Sequence, residues 1–337
     1  MVIKLILAGI AILAVALRPR SRAAAAIALG AGAFSGDIVA AALAAAPMLL
    51  FLTVALALAW LAMRSGLTEW AATVLARWGK GRTLRLYALV CSISALLTIV
   101  LSLDGAVVLM VPLVSALVRR CGVRFSPFLF GVVAVANASS LAVPEGNPTN
   151  LVVMSRLGLG PEMFLQHLFV PGACAALLCA LVPVPRVGPR SYANRADDGY
   201  QSTNGRFLVP WRIGAQIVGL LAALRGLVPS VALSGHTFGA LLIVAAGIAG
   251  ASAIANNLPV GAAVATFITA GPGVYAALIG LTVGALATPH GSVATMIGRE
   301  LAGEDGELST KALASAAALA VLGATFFLWT ILAVSSS

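Results

Sequence analysis

The stretch Ser139-Ser140-Leu141-Ala142-Val143-Pro144-Glu145-Gly146-Asn147-Pro148-Thr149-Asn150 interrupts an otherwise apolar run. It places two prolines, a glycine, two asparagines and a carboxylate where an unbroken helix would want none of them. A later stretch, Ala287-Thr288-Pro289-His290-Gly291-Ser292-Val293-Ala294-Thr295, repeats the frame: proline, one ionisable residue, glycine, one small polar residue. Two matching breaks in corresponding halves of an apolar chain are the best sequence pointer to a transport site.

The surrounding composition sets the class. The 337 residues are 61% hydrophobic and 9% charged, with a mean hydropathy of +1.04, which no soluble domain approaches. Apolar segments long enough to span a bilayer recur along the whole chain, and they are continuous rather than alternating, which excludes a β-barrel. The net charge of +10 does not indicate nucleic acid, because nearly all Lys and Arg lie between apolar spans, where cytoplasmic loops carry them. Cys91, Cys121, Cys174 and Cys179 have no metal spacing and read as small apolar filler. The N-terminus resembles a signal peptide, but Arg18, Arg20 and Arg22 follow the apolar core at once; charge there opposes export and predicts an uncleaved first span.

The expected fold class is an all-α polytopic membrane protein with about eight transmembrane helices in inverted-topology repeats, two re-entrant hairpins and two discontinuous helices. Residues 1–45 hold two extra N-terminal spans, at about 2–17 and 23–43. Residues 46–184 form a first repeat, with a hairpin tip near 102–105 and a helix break at 143–148. Residues 185–206 are a cytoplasmic linker, and 207–337 a second repeat with a tip near 255–259 and a break at 288–292. Two complete spans joined by Ser102-Leu103-Asp104-Gly105 would have the same ends as the first hairpin, so that alternative stays open. Between Arg64 and Arg85, the residues Leu67, Trp70, Ala71, Val74, Leu75 and Trp78 fall on one helical face, which predicts an interfacial helix anchored by its tryptophans. This layout puts about eighteen of the 21 basic residues inside and three, Lys4, Arg156 and Arg225, outside.

Irregular backbone at membrane depth survives only when buried in protein or lining a wet cavity. Intramembrane ionisable groups are functional candidates by default, and Asp104, Glu145 and His290 are expected to couple protons. Each also has a structural reading: Asp104 as a helix cap, Glu145 as a surface partner of Arg156, His290 as a neutral ring bonded to backbone. Asn147, Asn150, Asn256, Asn257 and Asn137 lie in or near the breaks; either they bind substrate or they stitch hairpin to helix. Ser139, Ser140 and Thr288 suit backbone-bonded roles. His167 and His236 sit near span ends and read as interfacial. Pro148 suits the first position of a half-helix, leaving free amides at its start. No nucleotide loop, metal triad or catalytic nucleophile stands out, so the chain reads as a non-enzyme without cofactor or metal.

Four motifs in order resemble the ion transporter superfamily, and within it the ArsB/NhaD-type permeases. They are Ser102-Leu103-Asp104-Gly105 followed by an apolar run and Pro112, Gly146-Asn147-Pro148-Thr149-Asn150-Leu151-Val152, Ser252-Ala253-Ile254-Ala255-Asn256-Asn257-Leu258-Pro259, and Thr288-Pro289 with Gly291-Ser292-Val293-Ala294-Thr295. The resemblance implies inverted repeats with substrate held at the hairpin tips, and a site that includes Asp104, Asn147, Asn257 and Ser292. Members carry arsenite and antimonite, silicic acid, sodium in exchange for protons, or di- and tricarboxylates; the Asn-Asn-Leu-Pro and Thr-Pro-x-Gly-Ser elements lean to the arsenite permease branch. The chain departs from the pattern at Leu103, where members often have Asn, and at Glu145 and His290, where they commonly have an apolar residue.

The expected function is secondary active, proton-coupled efflux of a neutral oxyacid such as arsenite or antimonite across a bacterial-type inner membrane. The alternatives are a sodium- or proton-coupled anion carrier of dicarboxylate type and a sodium/proton antiporter. The expected substrate-binding set is Asp104, Asn147, Asn150, Asn256, Asn257 and Ser292. The expected partners are the lipid bilayer and a small inorganic or anionic substrate, with a homodimer and a soluble ATPase subunit left open and nucleic acid excluded.

Overall fold

In the computed structural model, residues 2–18, 21–188, 191–192, 211–224, 235–267, 271–303 and 307–335 are described. Helices dominate: α1 (Val2–Leu17), α2 (Arg22–Ser35), α3 (Ile38–Arg64), α4 (Leu67–Trp78), α5 (Thr83–Leu101), α6 (Leu103–Cys121), α7 (Phe125–Ser139) and α8 (Pro148–Leu157). They continue as α9 (Pro161–Leu181), α10 (Trp211–Leu224), α11 (Phe238–Ala255), α12 (Asn257–Phe267), α13 (Pro272–Thr282), α14 (Val293–Ala302) and α15 (Thr310–Ser335). No strand forms among the described residues; one isolated bridge joins Arg82 and Ser191. Among the described residues, four helical stretches are long and apolar enough to cross a membrane: Thr83–Leu101, Pro161–Arg186, Phe238–Ala255 and Thr310–Ser335. With the shorter apolar helices, they make this a multi-pass helical membrane protein.

The second and third helices part at Gly36-Asp37, earlier than the turn expected near residue 45. Asp37 accepts the Ala40 amide at 2.9 Å and caps α3, which then runs for 27 residues. Pro47, which marks the expected boundary after the alanines, is instead carried inside α3. α2 packs on α10 through small residues. A Cβ added at Gly219 would strike the Ala28 carbonyl, and one at Gly32 would lie 2.7 Å from the Gly219 oxygen. Backbones approach this closely only where both helices present small side chains.

The expected interfacial helix is α4. It buries Thr68, Ala72, Leu75 and Ala76 and leaves Leu67, Trp70 and Trp78 exposed. α6 is its main neighbour. The residues 193–206 of the expected linker, like Arg225 and Asp305, lie outside the described residues.

Two sharp turns and two helix breaks organise the centre. α5 and α6 meet at Ser102, and α11 and α12 meet at Asn256. Each arm of the first turn has 19 residues, about 28 Å at helical rise. α7 breaks into a short 3-10 turn, Pro144–Gly146, before α8 starts at Pro148. α13 breaks into a 3-10 turn, Gly284–Ala287, before α14 starts at Val293. The second half-helices pack crosswise: α8 on α12, and α14 on α6.

Candidate functional site

Both sharp turns are made in the same unusual backbone conformation. Ser102 has φ 88° and ψ 164°, and Asn256 has φ 74° and ψ 146°, a region that side-chain-bearing residues rarely occupy. The Ser102 amide still closes α5 on the Thr98 carbonyl at 3.0 Å, and the Asn256 amide closes α11 on the Ser252 carbonyl at 2.9 Å. The next residue begins a new helix in each case. Each turn therefore delivers a helix N-terminus to the inside of the protein; at α12 the first amides are already taken, Asn257's by the Gly291 carbonyl and Leu258's by Asn256 Oδ1.

The breaks do the same. Asn147 caps α8 by accepting the Thr149 amide at 3.0 Å and the Thr149 hydroxyl at 2.7 Å, with Pro148 at the first helical position as expected. Ser292 precedes α14 in an extended conformation. The starts of α6, α8, α12 and α14 meet at one small cavity, lined by Asp104, Asn147, Asn257 and Ser292 with Leu103, Pro148, Thr149, Leu258 and Val293. Its free volume is small, roughly 10 Å³, about what one water needs.

Four polar side chains here are buried and only partly used. Asp104 is 3% exposed, Asn147 1%, Asn257 3% and Ser292 0%. Asp104 Oδ1, Asn147 Nδ2, Asn257 Oδ1 and Ser292 Oγ have no hydrogen-bond partner in the protein. A buried polar atom without a partner costs about 1–3 kcal/mol, and four of them gather around this one cavity. Four helix N-termini make the surroundings favourable to electron-rich oxygens. Among the described residues no Lys or Arg lines the cavity, and Asp104 is its one carboxylate.

The other expected site residues lie elsewhere. Asn256 is 2% exposed, but its Nδ2 donates to the His290 carbonyl at 2.7 Å and its Oδ1 accepts the Leu258 amide at 3.2 Å. Asn150 donates to the carbonyls of Ser140 at 2.9 Å and Val143 at 3.3 Å. Both amides stitch backbone and neither lines the cavity. His290 is buried outside the lining, and its Nε2 has no partner in the protein. Glu145 is exposed on the 3-10 turn. The side chain of Arg156 lies outside the described residues, so the Glu145–Arg156 pairing does too. Asn137 ties α7 to α14 by donating to Thr295 Oγ1 at 3.3 Å. Ser139 and Ser140 bond to the Val135 and Asn137 carbonyls, and Thr288 reaches the Ala253 carbonyl of α11 at 2.6 Å. His167 stacks on Tyr275 with ring centroids 4.3 Å apart, while His236 is exposed. Among the described residues, no group of His, Cys, Asp and Glu is placed to hold a metal ion. Reading from residue types missed Thr149, whose hydroxyl fixes the Asn147 rotamer; its place in the first turn after a cap residue was the available signal.

These features define a multi-pass helical membrane protein with a buried polar cavity at the meeting of four helix starts. The chain belongs to the citrate transporter family, whose description matches residues 10–321, and so to the ion transporter superfamily. An arsenical pump membrane protein of Escherichia coli is 31% identical over 121 residues, covering 35% of this chain and 28% of that protein. The arsenical pump membrane protein of Shigella flexneri matches to the same extent, 31% over 121 residues. An uncharacterized transporter of Mycobacterium bovis is 29% identical over 124 residues, covering 37% of this chain and 29% of its own length. The matched part thus spans less than a third of the length of these curated relatives.

Proposed function

We propose that the protein is a secondary active transporter that moves a small neutral oxyacid of the arsenite type, coupled to protons and in the direction of efflux. The observation that carries this reading is the composition of the cavity: four helix starts, two carboxamides, two hydroxyls and a carboxylate, with no Lys or Arg among the described residues. A neutral trihydroxy acid both donates and accepts hydrogen bonds. Its hydroxyls can donate to Asp104 Oδ1 and Asn257 Oδ1, while Asn147 Nδ2 and the Ser292 hydroxyl can donate to its oxygens.

The family description favours a second reading, an anion carrier for a citrate-like acid. Helix N-termini suit carboxylates, yet Asp104 would repel them and no side-chain cation offsets the charge. The neutral substrate is therefore preferred. Sodium/proton exchange is the third reading and rests on Asp104 alone. In this reading the crosswise pairs α8–α12 and α6–α14 belong to two inverted repeats, and alternating access moves one hairpin-and-break unit against the rest. A bacterial inner membrane, a homodimer and a soluble ATPase subunit remain parts of the proposal.

The test is uptake into proteoliposomes of arsenite, silicate, succinate, citrate and sodium, each with and without a pH gradient. Gradient-driven arsenite or silicate movement is expected. Movement of citrate or succinate without either neutral acid would replace this reading with the anion carrier.

A further inference from the structure

A cationic loop stands well apart from the cavity in sequence and in role. Arg77, Lys80, Arg82 and Arg85 at the α4–α5 junction are all exposed, and no acid lies among them. The acid of α4, Glu69, already accepts the Thr68 hydroxyl at 2.8 Å. The junction has a defined shape. Tyr192 donates its hydroxyl to the Ala76 carbonyl at 2.6 Å and its amide to the Gly81 carbonyl at 2.9 Å. The Lys80 and Arg82 amides fold back on the Arg77 and Gly79 carbonyls at 3.1 and 3.0 Å. Lys80 and Gly81 both take left-handed φ, 49° and 71°, so the chain reverses tightly and carries its four cations on one short junction.

Apolar surface flanks this cluster on both sides. Trp70, Trp78 and Leu84 are 64%, 57% and 55% exposed. The buried face of α4 meets α6, and among the described residues these three side chains stay largely uncovered. A cluster of fixed cations beside indole rings and a leucine matches a phosphodiester joined to acyl chains.

We propose that the α4–α5 junction binds the headgroup of an anionic phospholipid, with the four cations on the phosphate and the tryptophans and Leu84 against the glycerol and upper acyl chain. A lipid fits better than free phosphate, because free phosphate leaves the exposed indoles and Leu84 uncovered. The inference does not rest on the transport reading; it needs only that the chain is a membrane protein.

Native mass spectrometry of the full detergent-solubilised chain tests it, with phosphatidylglycerol, phosphatidylcholine and inorganic phosphate as separate probes. Wild-type protein is expected to retain phosphatidylglycerol over phosphatidylcholine. The preference should fall about fivefold for each cation removed, through Arg77→Gln, Lys80→Gln, Arg82→Gln and Arg85→Gln. Lys311→Gln, which removes an exposed cation on α15, should leave it unchanged. Raising salt from about 0.05 to about 0.5 M should weaken the wild-type preference, a check that needs no variant. Equal retention of the two lipids, binding of phosphate in place of lipid, salt-independent retention, or an equal loss in Lys311→Gln would overturn the proposal.

Discussion

The side-chain amide of Asn256 donates to the backbone carbonyl of His290 at 2.7 Å and so ties the turn between α11 and α12 to the break before α14. The bond has company: the Asn257 amide reaches the Gly291 carbonyl at 2.7 Å, and Thr288 reaches the Ala253 carbonyl at 2.6 Å. The first turn is built differently. Ser102 Oγ and Asp104 Oδ1 are buried without a partner in the protein. The second turn is thus tied to its neighbouring break, yet Asn257 Oδ1 and Ser292 Oγ beside it are left without a partner as Asp104 Oδ1 is at the first.

Asn256→Ala should therefore be the most damaging single change in the second turn. It removes two hydrogen bonds that hold a positive-φ, extended backbone which side-chain-bearing residues rarely occupy. A loss of about 2–4 kcal/mol is expected, summing an unpaired buried carbonyl and backbone strain. Thr288→Val, which removes one bond, should cost about 1 kcal/mol. Thermal unfolding in detergent gives the order, and equal midpoints for the two variants would contradict it.

Asn147 has two roles that one substitution separates. Its Oδ1 caps α8, while its Nδ2 is free and faces the cavity. Asn147→Asp keeps a capping oxygen and removes the donor; Asn147→Ala removes both. The Asp variant should fold with near wild-type stability and lose transport, whereas the Ala variant should also lose about 1 kcal/mol. Wild-type uptake by Asn147→Asp would show that Nδ2 does not contact substrate.

Asp104→Asn preserves shape and deletes the one carboxylate of the cavity. It is expected to abolish gradient-driven transport while the protein stays folded, judged by its elution and helical circular dichroism. Full arsenite resistance in cells carrying this variant would remove Asp104 from proton carriage.

Glu145 and His290 occupy equivalent places in the two breaks, but one is exposed and the other buried. Glu145→Gln and His290→Gln are each expected to shift the pH dependence of transport. Uptake measured across a pH series decides this, and two unchanged profiles would reduce both residues to structural positions.

The α2–α10 contact gives a packing prediction independent of transport. Gly219→Val drives side-chain atoms into the Ala28 backbone, which cannot rotate away, and should cost about 1–3 kcal/mol. Gly9→Ala in α1 meets nothing within 4 Å and should be neutral or slightly stabilising. Comparable losses from the two would show that α2 and α10 do not pack as described.

Much of this architecture was legible in the residues, because its signals are local. Continuous apolar runs define helical spans in lipid, where backbone groups can be satisfied only internally. Proline and glycine frames locate the breaks, and Asn147-Pro148 announces a helix start. These rules act over a few residues, so composition and order alone identify a helical membrane protein with two broken helices. Within a uniformly apolar stretch the same rules were less sharp: the α2–α3 boundary fell at the Asp37 cap rather than after the alanines.

What only the tertiary structure decided is which polar groups are free. Asn256 and Asn257 are neighbours of one residue type, yet one amide is taken by a carbonyl 34 residues away and the other has an oxygen open to the cavity. Asn147 and Asn150 divide in the same way, between cavity and stitch. Glu145 and His290 share a motif frame and differ in burial. Hydrogen-bond satisfaction and exposure depend on which segments meet in space. The crosswise docking of α8 on α12 and α14 on α6, which no local pattern encodes, turned four helix starts into one cavity.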